Sequence, residues 1–114
     1  MLDEALEQIV IDTFEDVLKL NKNPGSGNLR GDGDVGPATL SLNDTIKLGF
    51  ECKDKGSMSH TVLDNEWQKA KLQLTRRGLD PVFVTRNKAD EILVHMSLDL
   101  LKLLMELINE RTSN

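Results

Sequence analysis

Only one cysteine, Cys52, occurs in the 114 residues. That excludes an internal disulfide framework and fits a reducing cytoplasm. Long apolar runs are missing too. The most apolar stretch, Leu98–Ile108, falls far short of the roughly 20 residues that cross a bilayer, so no membrane association is expected. The opening Met1-Leu2-Asp3-Glu4 has neither a basic region nor an apolar signal core, and secretion is not expected. The two histidines, His60 and His95, stand apart without zinc-ligand spacing. Internal repeats and low-complexity segments are absent.

A basic surplus is missing overall, since the net charge is −5. Its distribution is uneven. Residues 1–21 hold six acidic side chains against one lysine, whereas residues 61–88 hold six Lys and Arg against three acidic groups. The basic segment comprises Lys69, Lys71, Arg76, Arg77, Arg86 and Lys88. Nucleic-acid binding calls for cations and a metal site calls for carboxylates, so the total charge does not decide between function classes. With 39% hydrophobic and 29% charged residues, residues 1–114 read as one small globular domain. Its core is modest, and association with a second copy would help it.

Residues 2–21 have Leu6, Ile9, Val10, Phe14, Val17 and Leu18 at helical spacing and predict one amphipathic helix. Asn23–Gly36, with five glycines and one proline, reads as a loop. No strand is evident between the two. Pro37–Lys55 reads as two strands turning at Asn43-Asp44, the stronger being Thr45–Lys53. Asp64 is placed to cap a helix running to about Arg77 and ended by Gly78. Pro81–Thr85 and Glu91–His95 read as strands around an Asn87–Asp90 turn, and Ser97 caps a last helix over Leu98–Glu110. The expected order is α-β-β-α-β-β-α, an α/β fold in which helices flank a mixed sheet, with an extra C-terminal helix.

The chemistry concentrates at Glu51-Cys52-Lys53. Side chains alternate along a strand, so Glu51 and Lys53 share a face and Cys52 points the other way. Asp34, in Gly33-Asp34-Val35, ends the glycine-rich loop, and a hairpin would bring it beside Glu51. Asp32 is its rival, but the apolar Val35 follows Asp34 into a strand. Two carboxylates with the Cys52 carbonyl form an all-oxygen ligand set suited to Mg2+ or Mn2+. Lys53 would orient the attacking water or stabilise charge on a phosphate.

Asp34 followed by Glu51-Cys52-Lys53 resembles the PD-(D/E)XK nuclease signature, and the context is similar to the Holliday junction resolvases of archaea and phages. The resemblance extends to Ala5-Leu6-Glu7 ahead of Val10, Ile11 and Phe14, to Pro24-Gly25-Ser26-Gly27, and to Glu66-Trp67-Gln68. Gly33 stands where the family has a proline. The resemblance implies a restriction-endonuclease-like core and Mg2+-dependent cutting of branched DNA in the cytoplasm of a bacterial, archaeal or phage-infected cell. It implies Asp34 and Glu51 as metal ligands, Lys53 as the catalytic lysine and Glu7 as a further acid, with Glu4 the alternative. Ser26 becomes a loop residue near the scissile phosphate and Gln68 a supporting polar group.

Plainer readings stand beside these. Glu7 fits a solvated helix face, Ser26 a turn, Gln68 an exposed helix position, and Arg76-Arg77 a helix end that complements the dipole. Trp67 reads as core or interface. Lys69, Lys71, Arg76 and Arg77 are candidate DNA contacts. Besides a junction resolvase, the sequence allows another nuclease of this fold acting on duplexes or ends, or a non-catalytic module that binds protein. Eight apolar residues in Leu98–Ile108 exceed what one core-facing stripe needs, so a homodimer is expected.

Overall fold

The computed structural model describes residues 5–15, 20–22 and 38–112. A mixed five-stranded sheet runs in the order β1-β2-β3-β4-β5, comprising β1 (Leu20–Lys22), β2 (Ala38–Ser41), β3 (Lys47–Asp54), β4 (Asp80–Arg86) and β5 (Ile92–His95). Among the described residues three helices flank it: α1 (Leu6–Phe14), α2 (Asp64–Thr75) and α3 (Leu98–Thr112). β3 and β4 are parallel, and every other neighbouring pair is antiparallel. No helix among the described residues is long and apolar enough to cross a membrane.

The expected helix over 2–21 is shorter. Its described part stops at Phe14, and Leu20–Lys22 pairs with β2, Leu20 opposite Leu40. The strand that was not evident in the sequence is therefore present. Three residues carry too little pattern to announce a strand, and here pairing with a sheet edge overrides the helical spacing. Within α1, Leu6 and Val10 are buried, and the Phe14 ring stacks on Phe50 at 6.2 Å between centroids. The β2–β3 turn forms where expected, because the Asn43 side-chain oxygen accepts the N–H groups of Thr45 and Ile46 at 2.8 and 2.6 Å.

Asp64 is the first residue of α2, not its cap. Leu63 holds that position, and its N–H donates to Glu66 Oε1 at 3.0 Å. Gly78, at φ +73°, ends the turn after α2 in a conformation that costs other residues more. β4 is buried on both faces. Val82 and Val84 join the main core with Leu6, Val10, Leu48, Phe50 and Leu100, while Phe83 and Thr85 are fully buried on the α2 side. Ser97 Oγ accepts the Leu100 N–H at 3.1 Å and caps α3 as expected.

Gly49 is where α2 meets β3. A Cβ there would lie 2.8 Å from both Leu74 Cδ2 and Leu79 Cδ1, and 3.0 Å from Leu79 Cβ. Leu74 is itself buried and has little room to yield. Gly49→Ala is therefore expected to cost about 1–3 kcal/mol of stability by overpacking. Urea denaturation checks this: the midpoint should fall by roughly 1 M.

Candidate active site

Glu51 and Lys53 share the face of β3 that looks toward α2. Gly49, two residues earlier, abuts Leu74 and Leu79, and Glu51 stands opposite Phe83 in the parallel register. Cys52 turns the other way, half-buried against the main core. Among the described residues the β2 ladder ends at Ala38 opposite Phe50. From Glu51 to Asp54, β3 therefore has β4 on one side and no described strand on the other.

A cleft of about 710 Å³ opens around that edge. α1 contributes Glu7, and β3 contributes Glu51, Cys52 and Lys53. Asn65, Lys69 and Gln73, spaced by four residues, line it from one stripe of α2, and Arg77 follows in the turn beyond the helix. Of the residues singled out in the sequence, Glu7, Glu51, Cys52, Lys53, Lys69 and Arg77 meet here. Gln68, Lys71 and Arg76 are exposed and do not line the cleft. Ser26, Asp32 and Asp34 lie outside the described residues, as does Glu4. Asn65 and Gln73 did not stand out in the sequence; their four-residue spacing from Lys69 was the available signal.

The electrostatics are mixed in a useful way. Burial pushes the Cys52 thiol well above its ordinary range, and the nearby carboxylates of Glu7, Glu51 and Asp54 push it further. The thiol therefore stays neutral, and the hard donors at this edge are oxygens: the carboxylates of Glu7 and Glu51 and the strand carbonyls. Among the described residues no group of three or more His, Cys, Asp or Glu side chains is placed to hold a metal. The described part of the cleft thus offers three carboxylates, Glu7, Glu51 and Glu66, the last of them already held by Lys55 and the Leu63 N–H.

The end of β3 is held by ion pairs on both sides of the sheet. The Arg86 guanidinium, buried beneath the surface, donates through Nε and Nη2 to the two carboxylate oxygens of Asp54. The Lys55 N–H donates to the Arg86 carbonyl at 2.9 Å, and Lys55 Nζ lies 3.4 Å from Glu66 Oε1. The Leu63 N–H, and then Lys55 and Lys53, hold the Glu66 carboxyl below its usual range. Lys53 thus stands between two anchored residues and the first turn of α2.

His60 and His95, isolated in the sequence, meet at Thr85. His60 Nδ1 is 2.7 Å and His95 Nε2 2.9 Å from the Thr85 hydroxyl, and Glu91 Oε1 lies 3.4 Å from His60 Nε2. The hydroxyl has one proton, so it donates to at most one ring, and at least one of the two ring nitrogens carries a proton and donates to it. Burial, then His60 and Lys55, lower the His95 pKa. Unfolded His95 therefore takes a proton at higher pH than folded His95. This contribution to stability is complete above about pH 6.5, the ordinary histidine pKa, and is lost as pH falls toward the depressed folded value. His95→Gln is expected to flatten that acid slope, as read from urea midpoints measured across pH 5 to 8.

No family model matches this sequence, and no curated protein matches it.

Proposed function

We propose that this chain is a divalent-metal-dependent DNA endonuclease of the PD-(D/E)XK type that resolves four-way junctions. The observation that carries the reading is the shared cleft. Glu7 and Glu51 bring carboxylates and Lys53 an ammonium to one edge of β3, and Lys69 and Arg77 face them from the α2 side. This is the charge pattern that phosphodiester hydrolysis needs. Anionic oxygens hold a cation, and fixed positive groups hold the phosphate.

Glu51, the Cys52 carbonyl and Asp34 are the proposed ligands of Mg2+ or Mn2+, with Glu7 a further acid. When bound, the ion lowers the pKa of a coordinated water and offsets charge on the phosphate. Lys53 would orient the attacking water and steady a non-bridging phosphate oxygen as the new P–O bond forms and the ester P–O bond breaks. Lys69 and Arg77 hold the neighbouring phosphates. Arg77 suits a bidentate grip and Lys69 a point contact. Lys71 and Arg76, outside the cleft, would meet phosphates farther along an arm.

Two such sites related by a two-fold axis would match the paired strands of a junction. The test is a labelled four-way junction and a linear duplex of the same sequence, each incubated with and without Mg2+. Cutting that needs the metal supports the reading. No cutting under any divalent ion overturns it and leaves a binding module.

A further inference from the structure

α3 carries two apolar stripes and, among the described residues, the domain covers one. Leu100 is buried in the main core, with Leu104 and Leu107 packed against it. Leu98, Leu101, Met105 and Ile108, in contrast, are 80%, 41%, 56% and 56% exposed. Their spacing of three, four and three residues is the a/d pattern of a two-helix seam. Asp99, Glu106 and Glu110 fall roughly 100° or more around the helix from the middle of that stripe. The adjoining strand adds to it. β5 is the edge of the sheet, and Val94, opposite Val84, faces the same side as α3 and is 54% exposed. Ile92 shares that face and is also exposed.

We infer that the outer stripe of α3, with Ile92 and Val94 at its base, is a self-association surface on which a second copy of this chain packs its own α3 antiparallel. The inference deepens the two-copy part of the proposed function and does not depend on the chemistry. The size fits, because six large side chains at these exposures leave on the order of 600 Å² of apolar surface per copy. That is at the upper end for a monomer's largest patch. Doubled across a two-fold axis, it clears the roughly 1,000 Å² expected of a specific interface. The pattern also fits. An antiparallel pair centred near Leu103 sets Leu98 against Ile108 of the second copy and Leu101 against its Met105, each contact occurring twice. Antiparallel packing also sets the negative C-terminal end of each helix dipole beside the positive N-terminal end of the other. Parallel packing would align like ends and like charges.

Sedimentation equilibrium of the full chain is the first measurement, and a dimer in the micromolar range is expected. Leu101→Glu combined with Met105→Glu should weaken it by roughly 100-fold or more. Both residues are exposed in the single chain, so circular dichroism should remain that of the folded domain. Leu72→Glu, at an exposed position on α2, is the control and should remain dimeric. Orientation is read by disulfide trapping. A mixture of Leu98→Cys and Ile108→Cys chains should cross-link to each other, and Leu98→Cys alone should not. Cys52, half-buried with its thiol held neutral, does not compete. A wild-type monomer at these concentrations, or a dimer unaffected by the double glutamate variant, overturns the inference. Efficient cross-linking of Leu98→Cys with itself overturns the antiparallel arrangement. Cleavage assays play no part in these outcomes, so a failed dimer and a failed nuclease reading remain distinguishable.

Discussion

Lys53→Ala, Glu51→Gln and Asp34→Asn are each expected to lower DNA cutting by roughly 10³-fold or more while leaving binding largely intact. The size follows from what the groups do. A metal ion and a fixed ammonium stabilise charge that develops only as the phosphate reacts, and several kcal/mol of such stabilisation corresponds to a loss of that order. On the proposed reading, binding would be spread over phosphate contacts and should survive the loss of one of them. Glu7→Gln should lower cutting as well, because its carboxylate lines the same cleft. Gln68→Ala is the control: its side chain is exposed away from the cleft, and near-normal cutting is expected. Single-turnover cleavage of a labelled junction, paired with a binding measurement in Ca2+, separates the two effects, since calcium should support binding without cutting. Near-normal cutting by any of the three variants removes that residue from the mechanism.

The strands around the site were legible because their patterns are local. Glu51-Cys52-Lys53 alternates within one strand, Asn43 holds its own turn, and Ser97 caps its own helix. The α2 stripe was only half legible. Lys69 and Arg77 attracted notice as charges, but their partners Asn65 and Gln73 belong to the cleft through four-residue spacing, and Gln68 falls outside it for the same reason. What stayed hidden is what long-range packing creates. Thr85 joins His60 to His95 across 25 and 10 residues of sequence, and no spacing rule brings them together. β1 exists because β2 offers an edge to pair with. The surplus of leucine in α3 was visible as a count; its division into a covered and an open stripe needed the packing of Leu100, Leu104 and Leu107.

A four-way junction should be nicked in pairs, at symmetry-related positions near the branch point, and linear duplex of the same sequence should be cut far less. A two-fold pair of chains presents two Glu51/Lys53 edges in related orientations, and a junction presents two equivalent strands, so the symmetries match. Recognition would rest on phosphate positions, since a chain of 114 residues leaves little surface for reading base edges. That makes the affinity salt-dependent. If Lys69, Lys71, Arg76 and Arg77 together neutralise about four phosphates per chain, a fourfold rise in salt should weaken each chain's grip roughly 100-fold. Labelling each arm in turn locates the nicks, and a binding series across salt gives the slope. The Leu101→Glu and Met105→Glu chain then links assembly to substrate. With its cleft residues unchanged it should keep metal-dependent nicking, but the two nicks should become uncoupled, so that singly cut junctions accumulate. Paired nicking by a demonstrably monomeric chain would separate junction resolution from two-fold symmetry. Equal cutting of linear duplex, or trimming from ends alone, would overturn the junction reading and leave the metal-dependent nuclease standing.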